Sequence, residues 1–153
     1  MPRFDSRIRI DASATRVWDV LSDFGRYAEW NPLFPSAEGS LANGSHLKLT
    51  LKPPFGRRVE LRGRIVRMET ERELVLQTRA PVPGLCHCRS EFRIESGTEA
   101  VRLYHSEVYG GGLLFFIAGE RGMKMREGCF ALNLAVKRRA EDQNWKIWPR
   151  ARG

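Results

Sequence analysis

The chain has 153 residues, 42% of them apolar and 29% charged, with 26 Lys and Arg against 18 Asp and Glu for a formal net charge of +8. A chain of this size and composition is expected to form one globular domain that needs no staples, which excludes the disordered and disulfide-dependent classes. Its longest near-apolar run, Leu113 to Ala118, is far shorter than the roughly 20 residues of a helical membrane span, so none is expected.

The first residues, MPRFDSRIRIDAS, show neither the apolar stretch nor the small-residue cleavage site of a secretory signal, and a cytoplasmic location is expected. Cysteine usage fits that compartment. Cys86 and Cys88 are two apart on one strand face, which suits a disulfide poorly, and Cys129 is distant in sequence, so all three read as free thiols. The basic excess raises the question of a polyanionic partner. In RRVELRGRIVRMETERE, however, arginines alternate with apolar residues and then mix with acids, as on the wet face of a half-buried strand, and no specific nucleic-acid partner is expected.

Period two opens the chain: Arg3 to Ile10 reads as a strand with Phe4, Ile8 and Ile10 on one face. The period then changes. Asp11 or Ser13 can cap a helix from about Ala14 to Asp23, with Val17, Trp18, Leu21 and Phe24 at helical spacing. GRYAEWNPLFPS, punctuated by Gly25, Pro32 and Pro35, predicts a turn or a broken second helix. Six strands follow: Ala37 to Leu41 and His46 to Lys52 around Asn43-Gly44, then Val59 to Met68, Leu74 to Ala80, Cys86 to Glu95 and Ala100 to Tyr109. Their short linkers predict antiparallel neighbours. After Gly110 to Gly112, about 30 residues without proline predict a long helix, its apolar side drawn through Leu113, Phe116, Met123, Phe130 and Leu134, with a bend or fraying near Gly119 to Gly122. The tail from 143 to 153 is basic and carries Trp145 and Trp148.

Three stretches, AxxVWDVLxDFxxYxEWNP at 14 to 32, GSLxNGxxLxLxL at 39 to 51 and LYHSEVYGG at 103 to 111, resemble the START-like superfamily, also called SRPBCC or Bet v 1-like. The likeness covers residues 3 to about 142 and is nearest to bacterial members grouped with polyketide cyclase/dehydrase and lipid-transport proteins. It implies an α+β helix-grip fold: a curved seven-stranded antiparallel sheet around a long C-terminal helix, two short helices after strand 1, and an internal pocket for lipids, polyketides, aromatic rings or hormones. It also implies that the short helices gate the pocket, with Tyr27, Trp30 and Phe34 beside the gate. It does not imply a reaction, because the superfamily holds carriers, cyclases, hydratases, oxygenase domains and chaperone-activating modules.

Alternation in EAVRLYHSEVYGG puts Val101, Leu103, His105, Glu107 and Tyr109 on one face. His105 and Glu107 are then about 6 to 7 Å apart at Cα, close enough to share a ligand group, to form an acid/base pair, or to be a satisfied buried pair. Cys86-His87-Cys88 invites a metal reading. His87 points away from the two thiols and no second ligand pair exists, so small wall residues are expected there and no metal. The glycine triplet lacks the lysine and serine or threonine of a phosphate loop and serves the sheet-to-helix turn. Wall candidates for a pocket are Trp30, Phe34, Leu49, Leu61, Leu76, Cys88 and Leu103, with Met123 and Phe130 opposite; ordinary core packing produces the same pattern.

Three function classes follow. The first is binding or transport of a small hydrophobic molecule, without a cofactor and with homodimerisation left open. The second is a cofactor-free cyclase or dehydratase built on His105 and Glu107. The third is a regulatory interaction module that docks through its basic surface or its tail.

Overall fold

The structure, a computed structural model, describes residues 3–54, 57–112 and 120–142. Strand β1 (Arg3–Ile10) leads into α1 (Ala14–Ser22), a 3-10 turn (Phe24–Arg26) and α2 (Tyr27–Trp30). Then come β2 (Ser36–Gly39), β3 (His46–Leu51), β4 (Val59–Glu69), β5 (Glu73–Arg79), β6 (His87–Ser96) and β7 (Val101–Gly110), and α3 (Glu120–Glu141) ends the described chain. The seven strands make one antiparallel sheet in the order β1-β7-β6-β5-β4-β3-β2. This is the helix-grip arrangement. The first strand closes on the last, Arg3 opposite Val108 and Ile10 opposite Val101, so β1 and β2 are the two edges.

Alternation sets the inner face as expected. Leu47, Leu49 and Leu51 on β3, Leu61 and Ile65 on β4, and Leu74 and Leu76 on β5 are all at most 3% exposed. Each such side chain contributes on the order of 1.5 to 3 kcal/mol through burial. The loop after β2 differs from a tight Asn-Gly hairpin. It runs from residue 40 to 45, because Asn43 is occupied elsewhere: its Oδ1 accepts from Met68 N at 2.7 Å, and Gly44 N donates to Ile65 O at 2.8 Å. These bonds pin β4 where its register slips, between Ile65 and Arg67. Asn43-Gly44 thus secures a bulge in the neighbouring strand.

Ser13, rather than Asp11, caps α1 by accepting from Arg16 N at 3.2 Å. The broken second helix is explained by Asn31, whose Oδ1 accepts from Leu33 N at 3.1 Å and Phe34 N at 2.8 Å, turning the chain through Pro32. Two contacts tie these short helices to the end of α3. Arg16 donates to the carbonyls of Ala140, at 2.7 Å, and Asp142, satisfying carbonyls that the helix itself leaves open. Arg139, its side chain 3% exposed, reaches Glu29 at 3.2 Å.

The buried side of α3 is not the expected one. Met125, Cys129, Leu132, Asn133, Val136, Arg139 and Ala140 are buried, whereas Met123 is 69% and Phe130 47% exposed and Leu134 is half-buried. The reason is physical. Tertiary partners claim Asn133 and Arg139 for the interior, and small Cys129 and Ala140 let the helix come close to its neighbours, so the side with Met123 and Phe130 is turned outward. Leu113, Phe116, Gly119 and the tail with Trp145 and Trp148 lie outside the described residues, and of the bend or fraying expected near Gly119 to Gly122 the described part, from Glu120 onward, is helical.

Candidate functional site

Helix α3 packs chiefly against β1 and α1 and touches β7. That placement sets a polar cluster into an otherwise apolar interior. On β7, His105 and Glu107 share the inner face as alternation requires, and their side chains are fully buried with Nε2 and Oε1 2.7 Å apart. On α3, Asn133 presents Oδ1 to His105 Nδ1 at 2.9 Å. Its amide Nδ2 donates to Ser6 Oγ of β1 at 2.6 Å, and Ser6 Oγ donates in turn to the His105 carbonyl at 3.4 Å. On β6, Ser90 Oγ and the Cys88 thiol both donate to Glu107 Oε2, at 2.8 and 3.1 Å.

These contacts match one arrangement of protons. With the Asn133 amide nitrogen toward Ser6 and its oxygen toward His105, the histidine nitrogen that carries a hydrogen in this arrangement is Nδ1. One further proton is then shared between His105 Nε2 and Glu107 Oε1. Placed on either atom it leaves the pair neutral overall, which makes complete burial tolerable. Phe92, directly opposite on β6, stacks on the imidazole at 4.5 Å between centroids with 12° between planes, so the ring is held in orientation as well as in hydrogen bonding.

The surrounding thiols and phenol are held in their neutral forms. Burial, reinforced by the Glu107 charge and its hydrogen bond, pushes the Cys88 thiol well up; burial and the same charge raise Tyr109 and Cys129. Burial alone pushes Cys86 up to about 11. Protonated thiols are donors, not nucleophiles, so Cys88 acts here as a hydrogen-bond donor to a carboxylate.

Of the expected wall residues, Phe34, Leu49, Leu61, Leu76, Cys88 and Leu103 sit together in the interior, with Trp30 half-buried against Tyr27 in an edge-to-face contact. Met123 and Phe130 do not face them. Ser6, Ser90 and Asn133 are the functional candidates that sequence reasoning missed. Each had a signal: Ser6 falls between Phe4 and Ile8 on an apolar strand face, Ser90 between Cys88 and Phe92, and Asn133 one residue from Leu132 and three from Val136. A polar residue in a buried register was the sign to follow.

Two grooves flank α3. One, of about 510 Å³, runs between the free edge of β1 and the helix, lined by Phe4, Ser6, Cys129, Phe130, Ala131 and Leu134 among others. Its wall includes Ser6, the outermost member of the polar cluster. The other, of about 310 Å³, lies between α3 and the prolines Pro32, Pro53 and Pro54. There Gly128 matters: a Cβ at that position would come within 2.8 Å of Pro54.

Solved structures repeat the fold at low sequence identity. A protein from Thermus thermophilus matches with 14% identity and a TM-score of 0.73, covering 91% of this chain and 97% of its own. A START superfamily protein from Mycobacterium smegmatis matches with 17% identity and a TM-score of 0.70 over 91% and 97% of the two chains. Norcoclaurine synthase from Thalictrum flavum matches with 14% identity and a TM-score of 0.66 over 93% and 94%. No curated protein sequence matches the chain. Among the described residues no helix is long and apolar enough to cross a membrane. The family described as polyketide cyclase/dehydrase and lipid transport matches residues 1–127, which takes in the whole sheet and the first turns of α3, and the chain belongs to that family.

Proposed function

We propose that the protein binds a small apolar molecule carrying one hydrogen-bonding group in the groove between α3 and β1, with the polar end of the molecule at Ser6. The observation that carries this reading is the groove itself: about 510 Å³ of mainly apolar wall that meets, at Ser6, the outer end of the Ser6–Asn133–His105–Glu107 chain. Volume and character suit a small-molecule site. The ligand's tail would lie along Phe4, Phe130 and Leu134, and its polar group would compete for Ser6 and Asn133, whose bonds to one another are the outermost of the cluster. Family membership supports the same ligand class.

The test is displacement of a dansylated fatty acid by apolar competitors in molar salt, together with native mass spectrometry of freshly purified protein. Saturable binding that survives salt and weakens in Ser6→Ala is expected, because burial of apolar surface is not screened. Binding that vanishes as salt rises would remove the reading.

A second reading rests on one observation, the 2.7 Å His105–Glu107 contact in a water-excluded position with the far nitrogen held by Asn133. That is the layout of an oriented acid/base pair. It ranks second because every polar atom of the pair is already engaged by protein. In an enzyme of this kind Glu107→Gln would abolish turnover and leave substrate affinity nearly unchanged.

A further inference from the structure

On the outer sheet face several basic side chains are paired with acids, while Arg7 and Arg102 make no ion pair with a described residue. Arg3 meets Asp5 at 2.9 Å, Arg9 meets Asp11 at 3.1 Å, Arg67 meets Glu73 at 3.0 Å, Arg72 meets Glu69 at 3.0 Å and Arg89 meets Glu91 at 2.7 Å. Across β3, β4 and β5 the pattern fails. Register places Lys48 opposite Arg62 and Arg62 opposite Arg79, and the next outward row places His46 opposite Arg64. Like charges directly opposite one another are unfavourable. Glu60 answers both Lys48, at 3.7 Å, and Arg62, at 3.1 Å, Glu38 stands opposite Lys48 on β2, and Arg64 and Arg79 make no ion pair with a described residue.

These two rows are the walls of a trough. Its floor is the backbone of Gly39, Leu47, Gly63 and Thr78, which stand side by side on β2 to β5, and its volume is about 860 Å³. Gly63 sets the shape: a Cβ there would fall 1.9 Å from the Gln77 carbonyl, so only glycine lets β4 and β5 approach this closely. Rows two residues apart on a strand stand about 7 Å from one another, and three strand spacings make the trough about 14 Å long. Backbone groups on the floor are already used in the sheet, and no aromatic carbon face other than His46 lines it, so stacking of nucleobases has little to rest on. What the trough offers is three guanidinium groups and one ammonium facing a narrow linear space, with the Glu38 carboxylate at its β2 end.

We propose that this outer trough binds a small ligand bearing two or more phosphate groups in a row, held by Lys48, Arg62, Arg64 and Arg79. The site is independent of the groove beside α3. The experiment uses tripolyphosphate as probe, calorimetry for affinity and amide shifts in two-dimensional NMR for location. Two double variants remove the same charge from exposed positions: Arg64→Gln with Arg79→Gln inside the trough, and Arg67→Gln with Arg93→Gln outside it. Saturable binding is expected, weakened about tenfold or more by the first pair and less than about twofold by the second, with the largest shifts at Gly63 and Thr78. Equal weakening by both pairs would reduce the effect to net charge and overturn the proposal. So would absence of saturable binding, or attachment to phosphatidylserine vesicles without affinity for tripolyphosphate, which would assign the row to a membrane surface instead.

Discussion

The two halves of the inner sheet face are equally buried and chemically opposite. Over β3 to β5 the wall is mostly leucine and isoleucine, with Thr78 the buried polar exception, and the aliphatic residues need no particular partner beyond volume. Over β1, β6 and β7 and on the facing side of α3, the interior holds a histidine, a glutamate, an asparagine, a serine and a thiol, with half-buried Ser6 at its outer end, each with a directional bond to another. The lesson concerns what burial costs. An apolar wall tolerates a deletion by partial collapse, whereas a polar cluster tolerates a change only if every remaining donor and acceptor still finds a partner.

Breaking the polar half should have the largest effect. Glu107→Ala strands the His105 ring and leaves Ser90 and Cys88 with only their 3.6 Å contact to each other, and a loss of about 3 to 5 kcal/mol in urea denaturation is expected. Glu107→Gln sharpens the point, because the cluster can be redrawn around it. The new amide oxygen accepts from Ser90 and Cys88, its nitrogen donates to the His105 Nε2 lone pair, and Nδ1 still donates to Asn133. That variant should lose less than about 1 kcal/mol, and nitrogen NMR should show Nε2 without a hydrogen. A loss as large as in Glu107→Ala would refute this assignment of protons.

Next in size, Leu61→Ala on the apolar half should cost about 2 to 5 kcal/mol and leave the His105 resonances where they are. Coupling of the two sites in a double-mutant cycle with Glu107→Gln would contradict the separation drawn above. Asn133→Ala should cost about 1 to 3 kcal/mol, since it leaves the Nδ1 hydrogen of His105 unmet, and it should weaken binding of the dansylated fatty acid if the ligand's polar group is received at that end.

The smallest effect is expected at alkaline pH. Cys86 has its pKa raised by burial to about 11 from an ordinary value of 9.0, so between those values the unfolded chain releases a proton that the folded one retains. Stability from this group is therefore unchanged below about pH 9 and falls as pH rises through the window. Cys86→Ala should flatten that part of the pH dependence of the melting temperature.

Much of the molecule was legible from residue order. Period-two alternation fixed which strand residues point inward, because a strand offers only two faces, and it put His105 and Glu107 together for the same reason. Turn chemistry placed the strand breaks within a residue or two, although it did not reveal that Asn43 bonds to β4 rather than closing a two-residue hairpin. On α3 the sequence was ambiguous, and there the tertiary structure decided. A helix offers a continuous range of faces, and this one carries apolar residues on both sides of Gly128 and polar ones on each. Its rotation is set by partners distant in the chain: Arg16 at its C-terminal end, Glu29 against Arg139, Ser6 and His105 against Asn133. Those four contacts turn Met123 and Phe130 outward and Asn133 inward, since a buried amide and guanidinium must find their partners while an exposed phenyl ring need not.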